Sequence, residues 1–237
     1  MELAYDFHLH SCLSPCGDEE MTPYNLINMA RILELDIVAL TDHNSCGNCR
    51  SAVEAGSAIG LTVVPGMELC TAEEIHVVCL FPDCDRADAF AAYVRSTLPP
   101  VANKPEIFGR QLLMDVADGI TGEEPVLLVT ASGIGIDSLP RLLAEHGGFC
   151  YPAHIDRSSF SILASLGTIE AGMGFTCAEV SPAGDVEELC RLYPDLGEMR
   201  ILHSSDAHYL ENMREASHRI RLPENSPQAL IAYLQGL

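Results

Sequence analysis

Short apolar runs alternate with longer amphipathic segments along most of this chain. Leu3 to Phe7 and Asp36 to Leu40 have the length and composition of buried strands, and apolar residues recur at helical spacing between Thr22 and Leu33. The same reasoning predicts a helix from Ser51 to Ile59, with Gly60 placed to cap it. Further strands are predicted at 61–64, 75–80, 148–151, 177–181 and 200–203, and a closing helix at 226–234. Strands that alternate with helices are typical of βαβ units, so we expect an α/β fold.

This alternation weakens between about residues 97 and 140. The segment is rich in Pro and Gly, and its one helical candidate runs from Pro105 to Met114. It is too short to build a good core of its own. The total length of 237 residues fits one large domain of this class. We therefore predict a single domain over residues 1–237, in which about 97–140 is an inserted, lid-like segment that covers the functional site.

The charge balance is strongly acidic, with 34 Asp and Glu residues against 13 Lys and Arg residues and a formal net charge of −21. Nucleic-acid binding depends on basic residues that neutralise phosphates, so the charge argues against a nucleic-acid partner. An acidic surface attracts cations instead. Lys104 is the only lysine, and a phosphate bound by this chain would therefore depend mainly on metals, arginines or backbone amides.

The chain has no run of about 18 apolar residues, which is the length needed to span a bilayer. Its start, Met1 to Asp6, lacks the basic region of a secretory signal. We therefore expect no membrane association and a cytoplasmic location. In that compartment the ten cysteines are expected to be reduced thiols or metal ligands rather than disulfides.

Histidines and acidic residues stand at the predicted strand ends. His8 and His10 close the first strand, where residues two apart point to the same face and can reach one metal. At the other strand ends stand His43, Glu68, His76, His154, Asp206 and His208. One such histidine is usually only a hydrogen-bonded residue. Six such sites, however, would bury many unpaired polar groups unless they share a ligand. The pattern predicts a metal centre, and its nitrogen and oxygen ligands suit Zn, Mn, Fe or Mg.

The remaining histidines are predicted to have other roles. His203 lies three residues before Asp206, and we expect it to support the ligands rather than to be one. His146 and His218 lie in segments read as helical, and both are predicted to be surface residues.

Four cysteines follow two neighbouring strands. Cys12 and Cys16 flank the loop after the first strand, and Cys46 and Cys49 come shortly after His43. Four thiols so placed could bind an additional zinc ion or an iron–sulfur cluster. The alternative is that all four are free thiols.

The motifs at the strand ends resemble those of the PHP (polymerase and histidinol phosphatase) superfamily. They run in the family's order and cover nearly the whole chain. The matching segments are Asp6-Phe7-His8-Leu9-His10-Ser11, Thr41-Asp42-His43, Pro65-Gly66-Met67-Glu68, Ile75-His76, Pro152-Ala153-His154 and Ser205-Asp206-Ala207-His208.

The resemblance implies a distorted seven-stranded β/α barrel of TIM type, with two or three divalent metal ions at its C-terminal rim. It also implies three ligand sets, of which Glu68 bridges the first and third. These are His8, His10, Glu68 and Asp206 for the first metal, His43 and His208 for the second, and Glu68, His76 and His154 for the third. Asp18, in a loop longer than the family's usual form, is expected as a further ligand of the second metal.

A cluster of cations would lower the pKa of a bound water and yield a hydroxide that attacks phosphorus. Asp206, His208 and Arg157 are the residues assigned to catalysis, with Arg157 as the phosphate clamp because its planar fork matches phosphate oxygens. Lys104 and Arg110 are candidates to close over the substrate, with solvated surface charges as the alternative. Asp42 is expected to orient a neighbouring ligand.

The sequence thus predicts a metal-dependent phosphoesterase that acts on a small phosphorylated metabolite and releases phosphate. A nucleotide and histidinol phosphate both remain open as substrates. The main alternative is a metal or redox sensor that keeps the site, uses its rim cysteines and hydrolyses nothing. A different hydrolase chemistry on the same cluster is a third reading, because fold and ligands do not fix a substrate.

Overall fold

The computed structural model describes residues 1–236, and their main feature is a six-stranded mixed sheet. The six strands are β1 (Glu2–Leu9), β2 (Ile37–Leu40), β3 (Thr62–Cys70), β4 (His76–Leu80), β7 (Phe149–Pro152) and β10 (Arg219–Arg221). Their order in the sheet is β10-β1-β2-β3-β4-β7. Strands β1, β2 and β3 are parallel, whereas β4 is antiparallel to both β3 and β7, and β10 is antiparallel to β1.

Two smaller sheets accompany the main one. Strands β5 (Leu112–Met114) and β6 (Ile120–Glu123) form an antiparallel hairpin, and β8 (Cys177–Glu179) and β9 (Arg200–Leu202) form a parallel pair. The α/β class is therefore confirmed. The seven strands expected from the family resemblance do not form one continuous sheet. The β8–β9 pair contacts the segment after β7 through the bond from Ile155 N–H to Glu179 C=O, and the segment after β9 contacts β1 through the isolated bridge between Leu9 and Ala207.

Eight α-helices surround these sheets within the described residues. They are α1 (Pro23–Ile32), α2 (Cys49–Ile59), α3 (Cys84–Thr97), α4 (Pro105–Phe108), α5 (Leu139–Glu145), α6 (Ile162–Leu166), α7 (Val186–Leu192) and α8 (Pro227–Leu234). The helix-capping residues predicted from the sequence are found in the structure. The Thr22 side chain accepts from Asn25 N–H at the start of α1, and Gly60, with φ 75°, ends α2 in the left-handed conformation. None of these helices is long and apolar enough to cross a membrane.

The two faces of the main sheet are buried in different clusters. Tyr5 and Phe7 of β1 pack in the cluster that holds Ile37, Val64 and Tyr151. The other cluster joins the opposite face of the sheet to the helices. Leu9 belongs to this second cluster although it is two residues beyond Phe7. The side-chain alternation is interrupted because the register between β1 and β2 shifts between Asp6 and Leu9, as in a β-bulge.

The segment 97–140 packs on the loops that follow β1 and β2. The Asn48 side chain donates to Leu112 C=O at 3.0 Å and accepts from Met114 N–H at 2.9 Å, which fixes β5 against the start of α2. Leu112 N–H also donates to Cys12 C=O at 2.9 Å. These bonds hold the segment beside the loops that carry several of the expected ligands.

Candidate metal centre

Glu68 lies at the centre of a group of imidazoles. It is in β3 rather than after it, because β3 continues to Cys70, and it is 1% exposed. Its carboxylate oxygens are 2.9 to 3.3 Å from ring nitrogens of five histidines. These distances are 3.2 Å to His8, 3.3 Å to His10, 3.0 Å to His43, 2.9 Å to His76 and 3.0 Å to His154. A single carboxylate thus contacts five histidines from four separate parts of the fold, since His8 and His10 share the end of β1.

Three overlapping groups of side chains could each hold a metal ion, since their ligand atoms lie within 4.8 Å of one another. Two of the groups contain His10, two contain His43 and two contain Glu68. They are His8, His10, Glu68 and Asp206, then His10, His43 and His208, and finally His43, Glu68 and His76. The residues placed at strand ends by the sequence therefore meet in one cluster. His154 contacts this cluster through Glu68 but belongs to none of the three groups.

Several nitrogen and oxygen atoms in the cluster are buried without a hydrogen-bond partner. They are His8 Nε2, His10 Nε2, His43 Nδ1, His154 Nδ1 and Asp206 Oδ1. The first three lie close to carboxylate oxygens, but the contacts lack hydrogen-bond geometry. Buried polar atoms are costly unless they are paired, so their convergence fits shared cations. Imidazole nitrogen and carboxylate oxygen also form a donor set that binds divalent transition metals.

Strand pairing and unusual backbone conformations position these candidate ligands. In the antiparallel register of β3 and β4, Cys70 is opposite His76 and Glu68 is opposite Val78, so Glu68 and His76 are near neighbours. His154 and Asp206 follow β7 and β9, and their φ angles are 30° and 52°. Non-glycine residues rarely adopt positive φ, and such conformations concentrate at functional sites.

Electrostatics keeps the carboxylates of the cluster charged. Burial opposes ionisation of Glu68, but the neighbouring imidazoles outweigh it and hold its pKa well below the usual value. Burial lowers the pKa of His10, whereas Asp206 and Glu68 raise it more strongly, to about 9. Burial, reinforced by His10, lowers the pKa of His208 to about 3. The anionic centre therefore attracts positive charge, and His208 offers a neutral nitrogen.

Asp42 contacts the cluster through Ser14. Its Oδ1 accepts from the Ser14 hydroxyl at 2.7 Å, and Ser14 Oγ lies 3.0 Å from His10 Nδ1. This chain of hydrogen bonds can fix the orientation of the His10 ring, the kind of role expected for Asp42. His203 lies outside the three ligand groups, with Nδ1 3.1 Å from Val180 C=O. Its ring stacks on His218. His218 precedes β10 and is not in a helix, and its side chain is half-buried rather than on the surface as predicted.

Sequence reasoning missed Glu179, the last residue of β8. Its two carboxylate oxygens lie 2.9 and 3.2 Å from His8 Nδ1, and Oε1 also accepts from His154 N–H at 3.1 Å. Glu179 is 1% exposed. A carboxylate on the far nitrogen of a ligating imidazole fixes the ring and increases its basicity. Glu179 lies inside the predicted strand 177–181 and lacks the His-x-His or Asp-x-His spacing of the other motifs, so the sequence carried no local signal for it.

Glu179→Gln is expected to weaken metal binding by roughly 10- to 100-fold, because the amide keeps the shape of the carboxylate but loses its charge toward His8. The measurement is the dissociation constant for Mn²⁺ or Zn²⁺ in competition with a coloured chelator. Glu187→Gln, in the exposed first turn of α7, is the matched control and should bind metal like the unmodified chain. Equal affinities for the two variants would contradict a positioning role for Glu179.

The structure places the predicted substrate residues at different distances from the cluster. Arg157 Nη1 is 2.6 Å from Asp206 Oδ2, so this guanidinium lies at the cluster while remaining 45% exposed. Arg110 pairs with Glu123 at 2.5 Å, and Lys104 is exposed at the start of α4. Asp18 is not in any of the three ligand groups of residues 1–236, and its Oδ1 accepts from Glu20 N–H at 2.8 Å.

The four cysteines do not gather into one site in the described part of the chain. Cys46 and Cys49 are near each other, with their sulfurs 3.2 and 3.3 Å from Gly66 C=O. Cys12 is buried beside Leu112, whereas Cys16 is exposed. The three ligand groups contain histidine and carboxylate ligands and no cysteine among residues 1–236.

A family model for the PHP domain matches residues 6–139, which is more than half of the chain. The chain belongs to the PHP domain family. This agrees with the resemblance carried by the strand-end motifs.

Known proteins similar to this PHP chain include nucleases. It is 33% identical to the 5′-3′ exoribonuclease Rnm of Salmonella typhimurium over 81 residues, which cover 32% of this chain and 27% of the exoribonuclease. The lesion-specific endonuclease PfuEndoQ of Pyrococcus furiosus superposes with a TM-score of 0.70 and 15% identity, over 100% of this chain and 56% of the endonuclease. The PHP chain thus spans only part of both proteins.

A protein of comparable length has the same fold. It is described as a metal-dependent phosphoesterase from Bifidobacterium adolescentis, and it superposes with a TM-score of 0.63 and 18% identity. The match covers 97% of this chain and 96% of that protein. Its low identity shows a shared fold.

The prediction against a nucleic-acid partner is wrong. Relatives with this fold include an endonuclease Q solved with a 27-mer duplex substrate, with a TM-score of 0.72, and the exoribonuclease is similar in sequence. The prediction failed because it used the charge of the whole chain. Cations and arginines at one site can contact a phosphate locally, whatever the sign of the distant surface.

Proposed function

We propose that this PHP chain is a metal-dependent phosphoesterase. The observation that supports the proposal is the convergence of five imidazoles on the buried carboxylate of Glu68, with five ring or carboxylate atoms of the cluster left without hydrogen-bond partners. Such a cluster can hold two or three cations close together, and phosphatases and nucleases use such metal clusters.

Different residues of the cluster would bind different metal ions. His8, His10, Glu68 and Asp206 would hold one ion, and His43 and His76 would each take part in a neighbouring group. When bound, divalent cations supply a hydroxide at neutral pH and compensate for charge on the phosphate oxygens. Glu179 and the Asp42–Ser14 pair keep the rings of His8 and His10 in place, so that the ligands need not reorganise during the reaction.

Arg157 is the residue best placed to bind a phosphate oxygen. Its guanidinium reaches Asp206 from the solvent side and is nearly half exposed, so its other donors remain available to a ligand. A guanidinium makes two parallel hydrogen bonds to phosphate, which a lysine cannot reproduce. We infer that Arg157 orients the phosphate ester toward the cluster.

Arg157→Ala is expected to lower kcat/KM for a phosphate ester by roughly 10- to 100-fold, since a hydrogen bond to a charged group contributes about 1.5–3 kcal/mol. Arg157→Lys should restore only part of the loss. Steady-state kinetics with colorimetric phosphate detection measures both variants. Arg141→Ala, whose side chain on α5 is 82% exposed, is the control. If the Ala and Lys variants matched the unmodified chain, Arg157 would not be the phosphate-binding residue.

The proposal is tested by phosphate release from small phosphomonoesters. Protein stripped with a chelator should be inactive, and stoichiometric addition of Mn²⁺, Zn²⁺ or Fe²⁺ should restore hydrolysis in parallel with the metal content measured by mass spectrometry. Inclusion of ribose 5-phosphate, histidinol phosphate and AMP in the screen samples the substrate classes left open by the sequence. A chain that binds its full complement of metal but releases phosphate from none of them would contradict the proposal.

A further inference from the structure

A cleft of about 570 Å³ opens beside the metal cluster. One wall is the 15–19 loop, and the other is formed by residues 107–109 of the 97–140 segment with Val129 and Tyr209. The cleft adjoins the cluster on the side of His208, because Tyr209 follows His208 and Asp18 N–H donates to His208 C=O at 2.9 Å. Its volume is within the range of sites that bind small ligands.

Large apolar side chains in this cleft are exposed to solvent. Ile107, Phe108 and Tyr209 are 63%, 37% and 46% exposed. Gly109 brings the end of α4 close to the loop, since a Cβ at this position would be 3.0 Å from Pro15 C=O, and its φ of 80° favours glycine. Exposed aromatic groups next to a phosphate-binding site are typical of surfaces on which nucleobases stack.

The charge of the cleft also favours a nucleobase over a second phosphate. Asp18 and Glu19 line it, and neither Lys104 nor Arg110 is among its lining residues. Arg110 is engaged by Glu123 at 2.5 Å and approaches Glu19 at 3.9 Å. Carboxylates repel a second phosphate, but they accept hydrogen bonds from the amino groups of a base. An apolar, acidic cleft is therefore suited to a neutral ring system with amino donors.

We propose that this cleft binds the nucleobase of a phosphorylated nucleoside whose phosphate lies at the metal cluster. The proposal rests on the phosphoesterase function and narrows its substrate class. Phe108 and Tyr209 provide the stacking faces, Ile107 extends the apolar wall, and the 15–19 loop accepts hydrogen bonds from the base. The nucleoside phosphate can be a free nucleotide or the end of a strand, because both present the same base, sugar and phosphate.

The test compares AMP with ribose 5-phosphate, which has the same sugar and phosphate but no base. With the metal-loaded protein, kcat/KM for AMP should exceed that for ribose 5-phosphate by about tenfold or more. Phe108→Ala and Ile107→Asp should each reduce this ratio several-fold. Tyr93→Ala removes an aromatic side chain of similar exposure on α3, outside the cleft, and should keep the ratio of the unmodified chain.

The results expected if the cleft binds no base differ from those expected if the chain is not a phosphoesterase. Hydrolysis of both compounds with equal kcat/KM would overturn base binding and leave the phosphoesterase function standing. If neither compound is hydrolysed, the affinities of AMP and ribose 5-phosphate are compared by calorimetry. Tighter binding of AMP that is lost in Phe108→Ala supports base binding in the cleft, and equal affinities overturn it. A 5′-phosphorylated oligoadenylate is the second arm, and a Phe108-dependent preference in either arm supports the proposal.

Discussion

Glu68→Gln is expected to reduce phosphate release by on the order of 10³-fold or more and to remove at least one metal ion per chain. The carboxylate lies within 3.3 Å of five imidazoles and takes part in two of the three ligand groups. Glutamine keeps the volume of the side chain, but it is neutral, and its amide group would direct donors at ring nitrogens. Within residues 1–236, no other side chain contacts so many of the candidate ligands.

Steady-state kinetics and metal analysis by mass spectrometry measure the effect, and circular dichroism shows whether the chain is folded. Glu54→Gln, an exposed glutamate on α2, is the matched control and should retain the activity and metal content of the unmodified chain. A folded Glu68→Gln variant with full metal content and more than a tenth of the original activity would contradict the central role of this carboxylate.

Removal of the metals is expected to lower the melting temperature by about 8–16 °C. Ligand present at 1,000 times its dissociation constant stabilises the folded state by about 4 kcal/mol, and each kcal/mol corresponds to about 2–4 °C in a chain of this size. The physical reason is that buried nitrogens and carboxylates without partners remain crowded around Glu68 once the cations are gone.

Differential scanning calorimetry with and without a chelator measures this shift, and re-addition of a single metal species should reverse it. In the Glu68→Gln variant the chelator should change the melting temperature by much less, because fewer ions are bound at the start. An unmodified chain that melts at the same temperature with and without chelator would show that the cluster holds no tightly bound metal.

The sequence was sufficient to predict which side chains gather around Glu68, because the motif that marks each of them spans only a few residues. His8 and His10, for example, share a side of one strand, and a strand end can be recognised from the apolar run before it. The α/β class followed from the same alternation of runs. Several helix limits agree to within a residue or two, since capping residues such as Thr22 and Gly60 act locally.

Features that depend on distant pairing were not predicted. Strand direction is not encoded in an apolar run, so neither the antiparallel β3–β4–β7 arrangement nor the addition of β10 next to β1 was anticipated. The role of Glu179 depends on contact with His8, 171 residues away, and the local sequence gives no sign of it. The exposed cleft was missed for a similar reason, since Phe108 and Tyr209 line it from separate parts of the chain.

The left-handed backbone at His154 and Asp206 has a consequence for protein engineering. Glycine at either position would relieve a conformational cost of about 1–2 kcal/mol. A stabilisation campaign scored only on the melting of metal-free protein would therefore favour such replacements and discard two polar groups of the cluster. Screens for more thermostable variants of this chain need to be run with metal present, so that the melting temperature includes the stabilisation that these groups provide by binding metal.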